Sequence, residues 1–196
     1  MLYQNILLVE DDIIDRKALE RFLKDYSDEY TFFFAGSFRE ALRILKENKI
    51  DTIVADYQLG DGNALQLMTL YKDIPLIMIT GANDAELAVQ SMKAGAYDFL
   101  VKDNERAYLQ MIPVACTYAL KRKEQENLLN KMVQAVEQSP SLILITNNQG
   151  NIEYANPKII ELTGYTLEEL LGKNPNIFNS GNQTPEFYSK FWETLR

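Results

Sequence analysis

Four short apolar stretches of this sequence each end in side chains that could do chemistry. A short apolar run bounded by loop residues is typical of a buried parallel strand. Open α/β sheets bind ligands at the carboxyl ends of their strands, so we expect these polar groups to meet at one edge. In chain order they are Glu10, Asp11, Asp12, Asp56, Thr80 and Lys102.

The acids predict a cation site. A single acid at a strand end is more often a helix N-cap or a favourable charge at a helix N-terminus. Here the first and third strands are expected to be neighbours, so Glu10, Asp11 and Asp56 would converge. Like charges so close disfavour joint ionisation unless a cation lies among them. Carboxylates, a backbone carbonyl and water are oxygen ligands that suit Mg²⁺. We assign Asp12 to local helix capping or to indirect support of the metal ligands.

Thr80 and Lys102 extend this prediction to phosphoryl transfer. That reaction needs negative charge neutralised on three equatorial oxygens and a nucleophile in line. Mg²⁺, Lys102 and the Thr80 hydroxyl would each take one oxygen, and Asp56 remains as the attacking carboxylate. Taken singly, Thr80 also fits a turn before Gly81, and Lys102 a solvated loop charge.

Strand and helix patterns alternate up to about residue 112. This alternation predicts a doubly wound α/β domain with a five-stranded parallel sheet of order 2-1-3-4-5. The predicted strands are Asn5–Val9, Tyr30–Ala35, Thr52–Ala55, Leu76–Ile79 and Asp98–Val101. The predicted helices are Ile13–Lys24, Ser37–Glu47, Ala64–Tyr71 and Asp84–Ala94, with Ser37 and Asp84 as N-caps.

A long helix and a second, smaller pattern follow. The helix is predicted from Glu105 to Gln138 as a linker, residues 105–138, with some coiled-coil pairing. Residues 139–196 then predict an incomplete α+β segment. Its elements are strands Leu142–Thr146 and Asn151–Tyr154, joined by a hairpin turn, and helices Pro157–Thr163, Leu167–Leu171 and Pro185–Leu195.

Composition narrows the function classes. The 196 residues carry a formal charge of −8, which argues against direct nucleic-acid binding. Histidine is absent, which excludes catalytic, metal-binding and phosphorylated histidines in these residues. Cys116, the single cysteine, is expected to be buried. Without a signal peptide pattern or an apolar span, we expect a cytoplasmic chain with no membrane contact.

Residues 1–125 resemble the receiver domains of two-component response regulators. The similarity rests on Ile6–Asp12, Asp56–Gly62, Thr80–Ala82 and Gly95–Lys102. It implies a cytoplasmic phosphoprotein that carries an aspartyl phosphate. It also implies a Mg²⁺ cofactor and a sensor histidine kinase or phosphotransfer protein as partner. The implied roles are Asp56 as phosphoacceptor, Glu10 and Asp11 as acidic pair with Asp11 the direct metal ligand, Gln58 as backbone-carbonyl ligand, Thr80 as switch hydroxyl, Lys102 as the family lysine and Phe99 as aromatic switch.

One position departs from this family. Receiver domains usually have a proline after the lysine, often with a cis bond, whereas this chain has Asp103. Because a cis bond before a residue other than proline costs ~3 kcal/mol, we expect a trans peptide and a looser loop around Lys102.

Residues from about 131 onward resemble the first part of a PAS sensor domain. The similarity rests on Ile152–Pro157 and Leu162–Pro175. The later strands of the family are missing, so we expect an unpaired strand edge and no bound ligand. Apolar surface is expected at Phe178, Phe187, Tyr188, Phe191 and Trp192.

Other classes fit less well. A haloacid-dehalogenase-type phosphatase needs a second Asp where this chain has Gln58. A flavodoxin-like redox protein binds the phosphate of FMN in the loop after strand 1, and the acids at that position in this chain would repel it. A phosphorylation-independent pseudo-receiver that serves as a dimerisation module stays open. In the main interpretation, phosphorylation drives homodimerisation through the long helix and the face formed by helix 4, strand 5 of the sheet and helix 5. The change is then relayed to the PAS segment and to effector regions. No enzyme is expected beyond self-phosphorylation and dephosphorylation at Asp56.

Overall fold

A computed structural model of the chain describes residues 4–81 and 85–179. The chain divides into two compact units, residues 1–126 and 127–196, and the division falls within one long helix. Each unit is described by itself.

The first unit is built on a five-stranded parallel sheet. Its strands are β1 (Gln4–Val9), β2 (Tyr30–Ala35), β3 (Thr52–Asp56), β6 (Leu76–Thr80) and β7 (Asp98–Val101), and their spatial order is β2-β1-β3-β6-β7. The intervening strands β4 (Gln58–Leu59) and β5 (Gly62–Asn63) pair antiparallel with each other outside this sheet. Counting the five sheet strands alone, the order is 2-1-3-4-5, which confirms the predicted doubly wound α/β fold.

The connecting helices begin and end close to the predicted residues. They are α1 (Ile13–Leu23), α2 (Phe38–Glu47), α3 (Ala64–Leu70), α4 (Ala85–Ala94) and α5 (Tyr108–Glu137). Ser37 caps α2 as predicted, because its hydroxyl accepts a hydrogen bond from Glu40 N. The predicted cap Asp84 lies outside the described residues.

Both faces of the sheet are buried, which fixes the strands in register. Ile6 and Leu8 of β1 pack in one apolar cluster with α1 and α5, whereas Leu7 and Val9 pack in the other with α2 and α3. Successive strand residues point to opposite faces, so a continuous apolar run serves both clusters. Cys116 of α5 is buried in the first cluster, and burial raises the pKa of its thiol to about 12.

The long helix begins later than predicted. It starts at Tyr108, not Glu105, because Arg106 adopts a left-handed conformation with φ 59°. The Asp103 carboxylate caps this start by accepting hydrogen bonds from Ala107 N and Tyr108 N, which lowers the pKa of Asp103. The described residues contain no cis peptide, as expected after Lys102. The Asp103 carboxylate ties this loop to the start of the helix, and the predicted looseness of the loop stays a prediction.

The second unit has a much smaller core. Strands β8 (Leu144–Thr146) and β9 (Ile152–Ala155) form the predicted hairpin, followed by α6 (Pro157–Thr163) and α7 (Leu167–Leu170). The fully buried residues of this core are Ile152, Ala155, Ile159 and Leu170. The far edge of β9 is partly occupied, because Ile152 N donates to Lys173 O and Gly172 N donates to Ile152 O.

The expectation that Phe178 contributes apolar surface holds only in part, because its side chain is partly buried. Phe178 packs against the small core with its ring edge-on to Tyr165, 6.0 Å between ring centres. A short 3₁₀ turn from Pro175 to Phe178 brings it there. The other residues of that prediction and the helix predicted from Pro185 to Leu195 lie outside the described residues. No described helix combines the length and hydropathy needed to cross a bilayer.

Candidate functional site

The predicted acids meet at the carboxyl edge of the main sheet. β1 and β3 are adjacent in parallel register, with Val9 opposite Ala55. Residues that directly follow β1 therefore lie beside the end of β3. One carboxylate oxygen from each of Glu10, Asp11 and Asp56 lies within 4.8 Å of the others. Glu10 is 1% exposed, Asp11 is open to solvent, and Asp56 lies between these extremes.

Lys102 joins this cluster from β7, at the far side of β6. Its ammonium nitrogen lies 2.6 Å from Asp56 Oδ2 and 2.8 Å from Glu10 Oε2. A hydrogen bond from Lys102 N to Thr80 O, 2.8 Å long, holds its backbone against the end of β6. The lysine thus lies directly on the carboxylate that the sequence predicts as nucleophile.

The buried position of Glu10 perturbs its ionisation. Burial raises the pKa of the Glu10 carboxyl to about 7, because desolvation outweighs the attraction of Lys102. For Lys102, burial alone would lower the pKa, but the bonds to Asp56 and then Glu10 outweigh it and raise the pKa above its ordinary value. Burial thus disfavours the charged form of Glu10, whereas Lys102 stays an ammonium beside it.

Thr80 ends β6 at the same edge. Its side chain is fully buried, and its hydroxyl has no hydrogen-bond partner among the described residues. A buried polar group without a partner costs about 1–3 kcal/mol, so such groups are uncommon and call for a functional reason. Phe99, the predicted aromatic switch, lies on β7 beside Met78 of β6 and is 37% exposed.

Asp11 and Asp12 have different surroundings. Asp11 Oδ2 accepts a hydrogen bond from Gly60 N at 3.0 Å, which ties it to the loop after Asp56. Asp12 instead caps α1 by accepting from Ile14 N and Asp15 N, and these bonds lower its pKa. The predicted division between a site residue and a local cap matches this geometry. Gln58 follows Asp56 with an exposed side chain, and its backbone N–H lies 3.3 Å from Asp56 Oδ1.

Two residues of this cluster were missed by the sequence analysis. Asp15 of α1 lies 3.2 Å from Lys102 Nζ through Oδ2, and its Oδ1 lies 3.3 Å from the Arg106 guanidinium. Asp15 follows the cap Asp12 by three residues, which places it on the same side of α1. That spacing was the one sequence signal that Asp15 could lie near the site. No comparable signal marks Arg106, because its approach depends on the turn of the loop before α5.

The Arg16 side chain of α1 holds the backbone of Glu10 and lies close to Gly36. The Arg16 guanidinium donates a hydrogen bond from Nη1 to Glu10 O, 2.9 Å long. It passes over Gly36, where a Cβ atom would lie 2.2 Å from Nη1. A side chain at position 36 would therefore displace the Arg16 guanidinium from this position.

The donor set fits Mg²⁺. The carboxylates of Glu10, Asp11 and Asp56 supply hard oxygen ligands, and three like charges so close call for a cation among them. Mg²⁺ commonly keeps several waters and binds through few protein carboxylates, which suits a site whose Asp11 faces solvent.

Comparisons with known proteins agree with this architecture. The sequence matches the response regulator receiver domain family over residues 6–112 and the PAS fold over residues 130–196. A solved receiver domain protein from Clostridium thermocellum is 25% identical, with a TM-score of 0.54 over 62% of this chain and 98% of that one. The signal receiver domain of a LuxO repressor protein from Vibrio parahaemolyticus is 26% identical, with a TM-score of 0.55 over 65% and 98%.

Curated relatives are longer proteins. A methanogenesis regulatory protein of Methanothrix harundinacea is 31% identical over 60% of this chain and 28% of its own length. A transcriptional regulatory protein of Bacillus subtilis, MalR, is 31% identical over 52% and 45%. A cyclic di-GMP phosphodiesterase response regulator of Xanthomonas campestris is 25% identical over 68% and 36%. The chain thus spans less than half the length of these relatives.

The receiver match covers more than half of the chain, and the sheet order and acidic edge agree with it. The chain belongs to the response regulator receiver domain family, and its receiver domain is followed by a PAS fold.

Proposed function

We propose that Asp56 accepts a phosphoryl group from a phosphohistidine of a sensor histidine kinase or phosphotransfer protein, in a Mg²⁺-dependent step. One observation carries the proposal: Lys102 Nζ lies 2.6 Å from Asp56 Oδ2, within a cluster that brings Glu10 and Asp11 to the same edge. A carboxylate, a cation and two further acids are the groups that transfer to an aspartate requires.

In this step an Asp56 oxygen attacks phosphorus and the phosphorus–nitrogen bond of the donor breaks. The bonding electron pair leaves with the imidazole nitrogen of the partner. Lys102 shifts from the attacked carboxylate to a phosphoryl oxygen, and the Thr80 hydroxyl donates to another. Mg²⁺, held by Asp11, Asp56 and the Gln58 carbonyl with Glu10 beside them, would neutralise phosphoryl charge and orient the group.

Output would follow from the same contacts. The buried hydroxyl of Thr80 gains a partner when it moves to the phosphoryl group, and the space it leaves lets Phe99 turn inward. This would change the face formed by α4, β7 and α5. That face carries exposed apolar side chains in Val101, Met111 and Val114, so we propose that two phosphorylated chains pair through it and the long helix.

The long helix would then carry the change towards the PAS fold and any effector region. Its length of 30 residues corresponds to about 45 Å at the usual rise of an α-helix. The response regulator of Xanthomonas campestris among the relatives supports a signalling role. Its phosphodiesterase activity is not proposed for this chain. The predicted cytoplasmic location and absence of direct nucleic-acid contact stay predictions.

The test is incubation with a small phosphodonor and Mg²⁺, followed by intact-mass analysis. We expect one added phosphoryl group in the parent chain and none in Asp56→Asn or after Mg²⁺ is chelated. Asp12→Asn is the control, because it removes a neighbouring charge while asparagine still caps α1. Equal phosphorylation of the parent and Asp56→Asn would refute the assignment, and no phosphorylation at all would favour the pseudo-receiver alternative.

The output step has its own test. Phosphorylation should raise the dimer fraction and alter hydrogen exchange in α5, whereas Thr80→Ala should accept the phosphoryl group without these changes. Unchanged dimer fraction and exchange in the phosphorylated parent would refute this route.

A further inference from the structure

The Lys102 ammonium is held by one carboxylate more than the proposed phosphoryl transfer uses. Its nitrogen lies 2.6 Å from Asp56, 2.8 Å from Glu10 and 3.2 Å from Asp15. The contacts with Asp56 and Asp15 are hydrogen bonds and the contact with Glu10 is an ion pair, so three carboxylates share one ammonium. The Asp15 side chain is 27% exposed and belongs to α1, and it is not one of the three acids whose oxygens cluster as a cation site.

Asp15 is itself held in place from its other side. Arg106 reaches Asp15 Oδ1 at 3.3 Å, while Lys102 takes Oδ2. Arg106 does so from a left-handed backbone conformation, φ 59°, which is uncommon for a residue other than glycine. Strained backbone of this kind persists where surrounding contacts enforce it and clusters at functional sites. Here the Asp103 carboxylate accepts hydrogen bonds from Ala107 N and Tyr108 N, the two residues that follow Arg106, and so holds this turn.

The resting contacts of Asp56 must change before it can react. Lys102 covers Oδ2, and the backbone N–H of Gln58 lies 3.3 Å from Oδ1. A lysine on the attacking oxygen withdraws its electron pair and blocks approach to phosphorus. The ammonium therefore has to leave Asp56 for a phosphoryl oxygen, and leaving is easier when other carboxylates keep its charge compensated.

We propose that Asp15, anchored by Arg106, is a positioning residue that keeps Lys102 at the site while Lys102 passes from Asp56 to the phosphoryl group. This inference rests on the proposed phosphorylation of Asp56 and deepens it. Without Asp15, Lys102 keeps only Glu10 and Asp56 and pairs more tightly with the nucleophile. Loss of Asp15 therefore slows phosphorylation, even though it removes a negative charge that repels an anionic phosphodonor.

The experiment measures the rate of Asp56 phosphorylation by acetyl phosphate with saturating Mg²⁺, using the full chain. Asp15→Asn should slow it about tenfold, the size of effect that one hydrogen bond to a charged group contributes. Asp15→Glu should recover most of the rate, because it restores the carboxylate. Arg106→Gln should slow it less. Asp12→Asn is the matched control, since it removes the same charge without contacting Lys102, and its rate should equal or exceed that of the parent.

A double-mutant cycle shows whether Asp15 acts through Lys102. In a Lys102→Ala background, Asp15→Asn should leave the much slower rate unchanged. Thermal unfolding of every variant identifies any that is merely destabilised, and for such a variant the Asp15→Glu comparison decides. An Asp15→Asn rate equal to the parent's, or an equal slowing in the Lys102→Ala background, would overturn the inference alone. A parent that takes no phosphoryl group at Asp56 would overturn the proposed function, and this inference with it.

Discussion

The receiver domain and the PAS unit differ most in how much apolar surface their strands bury. The receiver sheet has five strands with a buried cluster on each face. In the described part of the PAS unit, two strands carry one cluster of four fully buried residues. Stability grows with buried apolar area, and a two-stranded sheet is marginal by itself. The proposed phosphoryl transfer, which needs side chains held in fixed positions, therefore lies at the edge of the larger core.

Native-state hydrogen exchange should show the largest difference between the two regions. We expect amides of β3 and β6 in the receiver to exchange more than about 100-fold more slowly than those of β9, because local opening free energies follow the surrounding core. The measurement is made on a sample shown to be monomeric, since pairing of the PAS unit would also protect it. Equal protection in β9 and β3 would break the comparison and show a PAS unit as stable as the receiver.

Core truncations should separate the two regions next. Ile77→Ala, in the middle of the receiver sheet, should lower the free energy of unfolding of that domain by about 3–4 kcal/mol. Ile159→Ala, in the PAS core, should lower only the stability of the second unit. Calorimetry or two local probes can follow the two transitions. If either substitution shifts both transitions equally, the two regions unfold as one.

A smaller effect is expected for metal binding at the receiver edge. Asp11→Asn should weaken Mg²⁺ binding by about tenfold or more, because it removes a charged oxygen donor from the cluster. Asp12→Asn should change the affinity little, since that side chain caps α1. Isothermal titration with Mg²⁺ compares the two, and similar affinities would remove the distinction between ligand and cap.

The smallest effect concerns the single cysteine, which reports on the receiver alone. Burial raises the pKa of the Cys116 thiol to about 12 from an ordinary value of 9.0. Above pH 9 the unfolded chain loses this proton before the folded domain does, so stability falls as the pH rises between these values. The expected contribution is about 1 kcal/mol at pH 10.

Denaturant unfolding from pH 8 to 10, with Cys116→Ala as reference, measures this slope. The parent should lose more stability than the variant. In the native protein at neutral pH, a thiol reagent should react with Cys116 only through unfolding of the receiver. Rapid labelling without receiver unfolding would show that the thiol is not buried as described.

The sequence predicted the sheet order and the meeting of Glu10, Asp11, Asp56 and Lys102, because buried parallel strands leave a distinct apolar pattern and end at one edge. It did not predict Asp15 and Arg106. The spacing from Asp12 places Asp15 on the same side of α1 but does not show that its side chain reaches Lys102, and the approach of Arg106 depends on its positive φ, which no local pattern encodes. Phe178 was assigned to exposed surface because the contact with Tyr165 joins residues distant along the chain. The roles of the site residues stay predictions until phosphorylation is measured.

Gly36 shows how an unremarked position can limit the way this chain changes over evolutionary time. Its backbone conformation is open to any residue, yet a single added methyl group would displace the Arg16 guanidinium that bonds Glu10 O. Substitution of Gly36 by alanine would therefore affect the hydrogen bond that holds the backbone of Glu10. A side chain at position 36 is accommodated more easily when position 16 changes with it, so we expect exchange at these two sites to be correlated among descendants of this sequence.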